Sequence, residues 1–389
     1  MKKLVLILTD ESSATGFYKG YPRFLGERGW EVTVVSNSSG KLEAWARSEG
    51  ATGYAIPYER NPSVVRDLKA LAATVRLLRQ LRPDAVVSAT PKGALLGTLA
   101  AKLTGVPVRI YQLWGLRLET ATGVMRKILT GSERAAIGAA TQTVANSFSL
   151  ARAAEDLGLA PRNSIEVLGA GSSHGVNLQY FDRSQAAAPD RETTAFLDRT
   201  TADLTIVFIG RITPDKGITT LLNGVAAARE RGASIRLLLV GDIEHEASGR
   251  QIAAAPEYIH TVGLVEDVRP YIVAANVLCL PTLREGFPNV VLEAAALEVP
   301  AVVTDATGAI DSVVDGVTGW IFPVEDPQAL SEVLVDITEH PEHIRERGLN
   351  ARARVEEEFE QRYMWALQEE NITQQLEPHL ARTTSRDAK

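Results

Sequence analysis

The alternation of short apolar runs with longer amphipathic segments, which occurs twice along the chain, is the feature that most constrains the fold. Several runs are almost continuously apolar, as strands buried inside a parallel sheet are. Residues 64–81 place apolar side chains at helical spacing, which predicts a helix with one buried face. This succession predicts an α/β fold with parallel sheets covered by helices. The predicted strands are residues 4–8, 31–35, 85–88, 108–113, 142–145, 204–209, 235–240, 277–280 and 301–304.

A polar stretch over residues 182–203 separates the two series, and 389 residues are enough for two domains. We therefore predict two doubly wound sheets that face each other, with ligands bound in the cleft beyond the carboxyl ends of their strands. The C-terminal part is predicted as a long, charged helical region over residues 342–375, and residues 383–389 as a frayed tail. The predicted divisions are an N-terminal domain (1–182), a linker (183–203), a C-terminal domain (204–362) and a final helix and tail (363–389) that returns to the N-terminal domain.

Composition excludes several classes of protein. Hydrophobic residues make up 45% and charged residues 23%, which rules out disordered, collagenous and disulfide-rich chains. The one cysteine, Cys279, lies in an apolar run and is interpreted as a core residue, which suits a reducing cytoplasm. Residues 1–8 are interpreted as a buried strand because the apolar stretch is too short for a signal peptide. No apolar run approaches the ~18 to 20 residues that span a bilayer, so any membrane contact is expected to be peripheral.

Charge is distributed unevenly. Residues 1–180 carry a net charge of +8 and the remainder carries −15, within an overall −7. A basic half is typical of chains that contact nucleic acid, an anionic membrane or a phosphorylated substrate. Composition alone does not choose among these partners.

A pair of cations lies on the loop between a predicted strand and a predicted helix. Arg211 and Lys216 stand within the segment from Gly210 to Gly217, at the positive end of the helix that follows. An arginine fork and a lysine point charge at such a position favour binding of a diphosphate. The alternative is a solvated loop with two exposed cations.

Two glutamates follow the predicted strand at residues 277–280. Glu285 is expected on a loop and Glu293 about one turn into a helix that begins near Pro288. Glu293 is also compatible with an ordinary helical glutamate. Backbone N–H groups at this helix start are expected to reach an anion or a sugar, and they belong to Gly286, Phe287 and Asn289.

Together these segments resemble the retaining glycosyltransferases of family 4, which have the GT-B fold. The spacing Gly-Arg-x4-Lys-Gly at residues 210–217 resembles the diphosphate clamp of that family, and Glu285-x7-Glu293 resembles its paired-glutamate donor motif. Residues 300–308 and 314–323 are similar to the rest of the donor domain, and residues 168–181 to the end of the acceptor domain. The resemblance spans essentially the whole chain and implies two Rossmann-like domains facing a cleft.

The resemblance implies roles for particular residues. Arg211 and Lys216 would neutralise the leaving diphosphate, Glu285 would hold hydroxyls of the transferred sugar, and Glu293 would bind the ribose. Fixed cations that stabilise the developing negative charge make a metal unnecessary, and the chain has no Asp-x-Asp pair, so neither metal nor cofactor is expected. The remaining implied donor contacts are Gly16, Gly210, Gly263, Leu264, Gly286, Phe287, Pro288 and Asn289.

The N-terminal half departs from the family pattern. Relatives often place a histidine after the strand at residues 108–113, whereas no histidine precedes His174 here. Trp114 is a candidate for stacking on a sugar or for the core, and Arg117 or Glu119 for orienting the acceptor. Residues 10–18 are predicted as a loop. Relatives often carry a pair of glycines in this loop, and this chain has only Gly16.

The implied function is the retaining transfer of a hexose or N-acetylhexosamine from a nucleotide sugar, most simply a UDP-sugar. The acceptor would be a glycan or a polyprenyl-diphosphate-linked glycan of bacterial surface polysaccharide, and the enzyme would be cytoplasmic, at the inner face of the membrane. Alternatives are a GT-B nucleotide-sugar epimerase or hydrolase and a non-catalytic two-lobed sugar-binding protein. Nucleic acid is the least expected partner. Basic residues that would meet anionic lipid, unless they form solvated helix faces, are Arg66, Lys69, Arg76, Arg79, Arg82, Arg126 and Lys127.

Overall fold

A computed structural model describes residues 1–59, 63–254 and 256–387, with side chains as far as residue 379. The chain forms two compact units. Unit 1 consists of residues 1–174 together with the chain from residue 362 onward, and unit 2 consists of residues 175–361. Within the described ranges, no helix combines the length and the apolar character that a membrane crossing needs.

Unit 1 is a seven-stranded parallel sheet in the order β3-β2-β1-β4-β5-β6-β7. Its strands are β1 (Lys2–Ile7), β2 (Trp30–Ser36), β3 (Thr52–Ala55), β4 (Ala85–Ala89), β5 (Val108–Leu113), β6 (Gln142–Ala145) and β7 (Ile165–Val167). Its first seven helices are α1 (Glu11–Phe17), α2 (Tyr21–Glu27), α3 (Leu42–Ser48), α4 (Val64–Leu81), α5 (Pro91–Leu103), α6 (Gly123–Ala139) and α7 (Phe148–Asp156).

Both faces of this sheet are covered, because alternate residues of each strand point to opposite sides. Leu4 and Leu6 of β1 belong to one buried cluster, and Val5 and Ile7 to another. On the second face α5 packs between α4 and α6. Helices on both sides explain why the central strands are continuously apolar in sequence.

Unit 2 has a six-stranded parallel sheet in the order β10-β9-β8-β11-β12-β13. Its strands are β8 (Leu204–Ile209), β9 (Ile235–Val240), β10 (Ile259–Gly263), β11 (Val277–Leu280), β12 (Ala301–Thr304) and β13 (Gly319–Phe322). Its helices are α8 (Arg191–Arg199), α9 (Ile218–Glu230), α10 (Glu246–Ala253), α11 (Arg269–Val273), α12 (Asn289–Ala296), α13 (Pro327–Glu339) and α14 (Glu342–Glu358). Cys279 is fully buried in the core of this unit.

The two parallel sheets confirm the predicted α/β architecture, and all nine predicted strands are present. The sequence analysis missed β3, β7, β10 and β13. These strands are short, and three of them are only partly buried or contain polar residues, so they lack the continuous apolar run of the central strands.

Residues 10–18 do not form the predicted loop. They contain α1, because Asp10 caps its start by accepting a hydrogen bond from the backbone N–H of Ser13 at 3.0 Å. Gly16 therefore lies in the last turn of a helix rather than on a strand-to-helix loop.

The region predicted as helical over residues 342–375 is divided between two helices. The chain leaves α14 at Phe359, whose carbonyl accepts a hydrogen bond from Val176 N at 2.9 Å, while Gln361 N donates to Val176 O at 3.0 Å. The last helix, α15 (Gln361–Asp387), then packs in unit 1. Helix α15 includes residues 383–387, which were predicted as part of a frayed tail, and residues 388 and 389 lie outside the described residues.

The segment predicted as a linker, residues 183–203, contains a 3-10 turn and α8. Phe196 of α8 is almost completely buried in the core of unit 2. This segment therefore contributes to the packing of unit 2.

Candidate active site

The predicted donor residues lie at the carboxyl edge of the unit 2 sheet, which is the edge where its parallel strands end. Gly210 follows β8 and donates a backbone hydrogen bond to Val240 O at 3.0 Å. Gly241 in turn donates to Gly263 O at 2.8 Å. A Cβ on Gly241 would lie 2.0 Å from Gly210 O, so this close approach of the backbones requires glycine. The edge is therefore a tightly packed row of loops.

Lys216 is held on a compact loop between β8 and α9. The loop is a 3-10 turn, Pro214–Lys216, and it ends at Gly217 with φ 70°. A Cβ on Gly217 would lie 1.7 Å from Pro281 O. Glycine at this position therefore allows the loop to pack directly against the residue that follows β11. The local fold thus fixes Lys216 beside the residues that follow β11.

Lys216 and Glu285 form an ion pair. Lys216 Nζ lies 2.5 Å from Glu285 Oε1, and both side chains are largely buried. Glu285 N donates to Thr307 O at 2.8 Å. The structure therefore brings together one predicted cation of the diphosphate clamp and one predicted sugar-binding carboxylate.

Asp215 connects the two loops, a role that the sequence analysis missed. Its carboxylate accepts from Thr213 Oγ1 at 2.6 Å and pairs with Arg284 Nη2 at 3.1 Å. Its backbone carbonyl accepts from Leu283 N at 2.9 Å and from Thr282 Oγ1 at 3.1 Å. The only signal in sequence for this ion pair is that each partner stands next to a predicted site residue. Asp215 precedes Lys216, and Arg284 precedes Glu285.

Burial alone would raise the pKa of the Asp215 carboxyl. The hydrogen bond from Thr213 and the positive charges of Arg284, Lys216 and Arg211 outweigh burial and lower this pKa below its ordinary value. Asp215 is therefore ionised at neutral pH. The charges of three cations therefore act on one carboxylate in this loop cluster.

Arg211 is more exposed than Lys216. Its Nη1 lies 3.1 Å from Glu244 Oε2, and both side chains are about half exposed. Solvent screening makes such a pair weak, so Arg211 can change partner at small cost. Glu244 was also missed by the sequence analysis.

The remaining predicted donor residues are arranged around α12 and β10. The predicted helix start is present, with Pro288 at the N-cap and Asn289 as the first residue of α12. Burial raises the pKa of the Glu293 carboxyl, in the second turn, to about 7. Phe287 packs on Phe359 with ring centroids 5.4 Å apart, so its side chain belongs to the core.

Gly263 and Leu264 continue the same edge beyond β10. Gly263 has φ 85°, and the side chain of Leu264 extends into solvent. The family resemblance implies that the main chain of Gly263 and Leu264 meets the nucleotide base, and this contact stays a prediction.

In unit 1, Trp114 follows β5 and joins an aromatic cluster. Its ring lies 4.7 Å from that of Phe17 and 5.8 Å from that of Tyr18, and the residue is half-buried. Trp114 therefore contributes to packing and retains an exposed part. Arg117 is exposed and Glu119 half-buried, on the 3-10 turn Arg117–Glu119.

His174, which the sequence analysis did not select, belongs to the same cluster. Its ring meets the Phe17 ring edge-on at 5.3 Å, and its Nδ1 lies 2.7 Å from Ser173 Oγ. Burial lowers the pKa of the His174 imidazole to about 4, so the ring is neutral at pH 7. Sequence position does not indicate that His174 lies near Trp114, because about sixty residues separate the two.

Within the described residues, no three His, Cys, Asp or Glu side chains are grouped as metal ligands. The cations Arg211, Lys216 and Arg284 are the groups suited to an anionic ligand. Two doubly wound sheets, one of which carries a cationic loop and paired glutamates at its carboxyl edge, define a GT-B glycosyltransferase.

Comparisons with known proteins agree with this class. A family model described as "Glycosyl transferases group 1" matches residues 203–340, and one described as "Glycosyl transferase 4-like domain" matches residues 23–171. The capsular polysaccharide biosynthesis glycosyltransferase CapM of Staphylococcus aureus is 34% identical over 364 residues, 92% of this chain and 93% of CapM. The chain therefore belongs to the family 4-like glycosyltransferases with the GT-B fold.

Two further similarities extend the comparison. The UDP-Gal:alpha-D-GlcNAc-diphosphoundecaprenol alpha-1,3-galactosyltransferase of Escherichia coli is 23% identical over 318 residues, which cover 80% of each chain. The crystal structure of Anabaena HepE in complex with UDP has a TM-score of 0.71 and 18% identity, and the match covers 98% of this chain and 100% of HepE. At that identity the structural match shows the fold alone.

Proposed function

We propose that this glycosyltransferase transfers a hexose or N-acetylhexosamine, with retention of configuration, from a UDP-sugar to a lipid-linked glycan of bacterial surface polysaccharide. The ion pair between Lys216 and Glu285 is the observation that carries the proposal. It places a cation suited to a diphosphate beside a carboxylate suited to sugar hydroxyls. CapM acts in capsular polysaccharide biosynthesis, and the Escherichia coli galactosyltransferase uses a UDP-sugar and a diphosphoundecaprenol-linked acceptor, so both relatives support the proposal.

When the donor binds, the charged residues of the site exchange ion-pair partners. The diphosphate takes Lys216 and Arg211 as its counter-ions, with the backbone N–H groups at the start of α9 nearby. Glu285, released from Lys216, accepts hydrogen bonds from hydroxyls of the sugar. Glu293 accepts from the ribose, and the main chain of Gly263 and Leu264 meets the base. The remaining donor contacts that we propose are Gly16, Gly210, Gly286, Phe287, Pro288 and Asn289.

The chemistry follows from this charge arrangement. The bond between the anomeric carbon and the β-phosphate oxygen breaks while the acceptor oxygen forms a bond on the same face. The electron pair of the broken bond stays on the phosphate, which then takes the proton of the acceptor hydroxyl. Fixed cations stabilise the leaving diphosphate more as its charge grows, and this lowers the barrier. We propose that they do so without a metal or other cofactor.

Unit 1 supplies the acceptor side in this proposal. Trp114 stacks on a sugar ring, and Arg117 and Glu119 orient the acceptor. The enzyme acts in the cytoplasm, at the inner face of an anionic membrane where lipid-linked glycans are assembled, and it does not bind nucleic acid.

Nucleotide release tests the proposal. The full chain is incubated with UDP-, GDP- and ADP-sugars, with and without a bacterial lipid extract and with and without EDTA. We expect UDP release that needs the extract and survives EDTA, and an NMR coupling constant of the product that matches the donor anomer. A new free sugar formed without extract identifies an epimerase or hydrolase, and tight binding of free sugar without nucleotide affinity identifies a binding protein.

Lys216→Ala is the matching variant. Loss of a cation that stabilises the leaving group is expected to lower kcat by about a hundredfold or more. Arg231→Ala, which removes an exposed cation at the far end of α9, is the control and is expected to keep normal turnover. Near-normal turnover of Lys216→Ala contradicts the clamp.

A further inference from the structure

Helix α4 has apolar side chains on two faces. One face joins the core of unit 1, and its buried residues are Ala70, Thr74, Leu77 and Leu78. The second face repeats apolar residues at helical spacing towards solvent, and it consists of Leu68, Leu71, Ala72 and Val75. Leu68 is 60% exposed, and the other three are exposed or half-buried. A helix on the surface of a domain needs one apolar face for packing, so the fold of unit 1 does not account for the second.

The second face forms one wall of a groove on the surface of unit 1. Helix α5 packs beside α4, and its last residue, Leu103, lines the groove and is 63% exposed. The groove has an empty volume of about 870 Å³ that is open to solvent. A second concavity shares Arg79 with it and extends to Arg82 and Pro107. At the rise of an α-helix, the groove is about 20 Å long from Leu68 to the end of α4.

Every cation that lines the groove is an arginine. Arg76, Arg79 and Arg82 are exposed, and among the described residues their guanidinium groups have no hydrogen-bond or ion-pair partner. Asp67, the one acidic residue of α4, is paired with Lys92. A guanidinium presents a planar fork that matches a carboxylate, and arginine is enriched at protein interfaces whereas lysine is depleted there. The groove therefore combines an apolar surface with positive charge that is suited to carboxylates.

The groove ends at the amino edge of the unit 1 sheet. Arg82 lies just before β4 and Pro107 just before β5, and these two strands are parallel neighbours. Trp114 follows β5, so it lies at the opposite, carboxyl edge, as does the 3-10 turn Arg117–Glu119. A molecule in the groove therefore leaves the proposed acceptor residues uncovered.

We propose that this groove is a docking site for an acidic amphipathic helix of a partner protein. We call it the α4–α5 groove, and it is lined by Leu68, Leu71, Ala72, Val75, Leu103 and the three arginines. Apolar side chains of the partner helix pack on the half-buried floor, Leu71 and Val75, as helices in hydrophobic grooves do. Carboxylates beside them pair with the three arginines in charge-assisted hydrogen bonds. The inference goes beyond the proposed function, because it gives unit 1 a protein partner and does not depend on the transfer reaction.

Shape and charge select this occupant. A bilayer takes up apolar faces that project, so it would contact the rims, Leu68 and Leu103, and leave the half-buried floor uncovered. A nucleic acid would pair with the arginines but gain nothing from the apolar floor. A symmetric contact with a second copy of the chain would bring two sets of three arginines together. An acidic helix satisfies both the apolar floor and the arginines.

Fluorescence anisotropy tests the proposal with the full chain and without donor or acceptor. The probe is a fluorescein-labelled peptide of about 18 residues, held helical by a side-chain cross-link, with leucines along one face and glutamates elsewhere. Its matched control has lysine in place of every glutamate. We expect the acidic peptide to bind at least about tenfold more tightly than the basic one, and its affinity to fall as salt is raised.

Two double variants locate the binding. Arg76→Glu with Arg79→Glu is expected to lose at least about tenfold in affinity for the acidic peptide and to gain affinity for the basic one. Leu68→Ser with Leu103→Ser removes the apolar rims and is expected to lose at least about tenfold in affinity for the acidic peptide. Both variants are expected to keep the circular dichroism and the turnover of the wild type, because the groove lies away from the carboxyl edge.

The matched controls lie on α6, outside the groove. Arg126→Glu with Lys127→Glu makes the same change of charge on exposed residues, and Val124→Ser with Ile128→Ser removes exposed apolar side chains. Both controls are expected to bind the acidic peptide like the wild type. Equal losses in the controls and in the groove variants would show a general attraction to the basic unit 1 and overturn the inference.

Four further outcomes overturn the inference. The first is that the acidic peptide does not bind, and the second is that the arginine variant binds it like the wild type. The third is sedimentation of the wild type, but not of the leucine variant, with vesicles of phosphatidylcholine and phosphatidylglycerol, which assigns the groove to lipid. The fourth is a wild-type dimer in analytical ultracentrifugation that the leucine variant converts to monomer. Because the binding assays contain neither donor nor acceptor, these outcomes do not depend on whether the proposed transfer reaction is correct.

Discussion

At the scale of single residues, the candidate donor site is a balanced set of charges. Lys216, Arg284 and Arg211 are each paired, with Glu285, Asp215 and Glu244 respectively. A diphosphate entering this set must replace carboxylates as the partner of the cations. Its binding free energy is therefore a difference between two sets of ion pairs, and it is smaller than three bare cations would provide.

Asp215 is expected to be a positioning residue for this exchange. In Asp215→Asn the amide oxygen still accepts from Thr213, but the negative charge that holds Arg284 is lost. We expect kcat to fall about tenfold, the effect of one charge-assisted hydrogen bond. KM for the donor is expected to stay the same or fall, because the cation cluster gains net positive charge. Steady-state kinetics with the UDP-sugar measures both constants.

A fall in kcat without a rise in KM distinguishes a positioning role of Asp215 from simple destabilisation of the fold. Asp215→Glu restores the charge and is expected to recover part of kcat. If Asp215→Asn raises KM and leaves kcat unchanged, Asp215 contributes to donor binding and the positioning role is wrong.

At the scale of elements, a buried carboxyl joins β5 to α6. Tyr111 of β5 donates through its hydroxyl to Glu133 Oε2 of α6 at 2.7 Å. Burial raises the pKa of Glu133 from 4.5 to about 7, and the hydrogen bond from Tyr111 only partly offsets it. The folded state therefore binds a proton that the unfolded chain has released between these two pH values.

Proton linkage gives the direction in which Glu133 changes the stability of unit 1 with pH. The protonated carboxyl stabilises unit 1 fully below the unfolded pKa, and this stabilisation is lost as pH rises through about 7. Glu133→Gln keeps an acceptor for Tyr111 and removes the titration. Relative to the wild type, it is expected to gain up to about 3 kcal/mol of unfolding free energy between about pH 5 and about pH 8. Denaturant unfolding followed by tryptophan fluorescence reports mainly on unit 1, which contains Trp30, Trp45, Trp114 and Trp365.

The control for this prediction is Glu339→Gln, an exposed glutamate at the end of α13 in unit 2. It is expected to follow the wild-type pH dependence. Identical pH slopes for Glu133→Gln and the wild type would show that Glu133 stays ionised in the fold.

The elements that sequence could predict are those whose signal is local. Central strands have continuous apolar runs, and α4 was predicted at its observed bounds because its apolar residues recur at helical spacing. The loop from Gly210 to Gly217 and the helix start at Asn289 followed from glycine, proline and charge placed at short separation. The break at Phe359 had no local signal, since it depends on a backbone bridge to Val176.

The same limit applies to the site. Glu285 was selected from its motif, but its partner Lys216 lies 69 residues away, and the pairing of the two depends on the order of β8 and β11 in the sheet. Apart from the place of Asp215 directly before Lys216, neither Asp215 nor Glu244 has a signal in sequence, and only the fold gives them partners. The aromatic cluster of Trp114, Phe17 and His174 likewise needs three segments to meet.

At the scale of the whole molecule, unit 1 is completed by the last helix. Trp365 packs against Tyr21 and Phe24 at ring-centroid distances of 5.8 and 5.4 Å. Trp30 Nε1 donates to Glu369 Oε1 at 2.9 Å. The amides of Gln142 and Asn371 are hydrogen-bonded to each other in both directions, at 3.0 and 2.8 Å. Helix α15 is thus part of the core of unit 1.

Trp365→Ala is expected to destabilise unit 1 selectively. Truncation of a buried tryptophan costs about 3 to 5 kcal/mol. Unfolding followed by the remaining unit 1 tryptophans is expected to shift to lower denaturant, while UDP binding by unit 2 is retained. Tyr363→Ala, which truncates an exposed aromatic residue of the same helix, is the control and is expected to change stability by less than about 0.5 kcal/mol. Loss of UDP binding in Trp365→Ala would contradict the selective destabilisation of unit 1.

The return of α15 has a consequence for synthesis of the chain. Ile372 and Leu376 share a buried cluster with Leu4 and Leu6, so the core of unit 1 contains residues from both ends of the sequence. Unit 2, which lies between them, leaves the ribosome complete while unit 1 still lacks its final helix. Domains generally fold in the order in which they are synthesised. Here the order is reversed, so a chain truncated after residue 361 contains every residue of the second unit but lacks the helix that covers a hydrophobic face of the first.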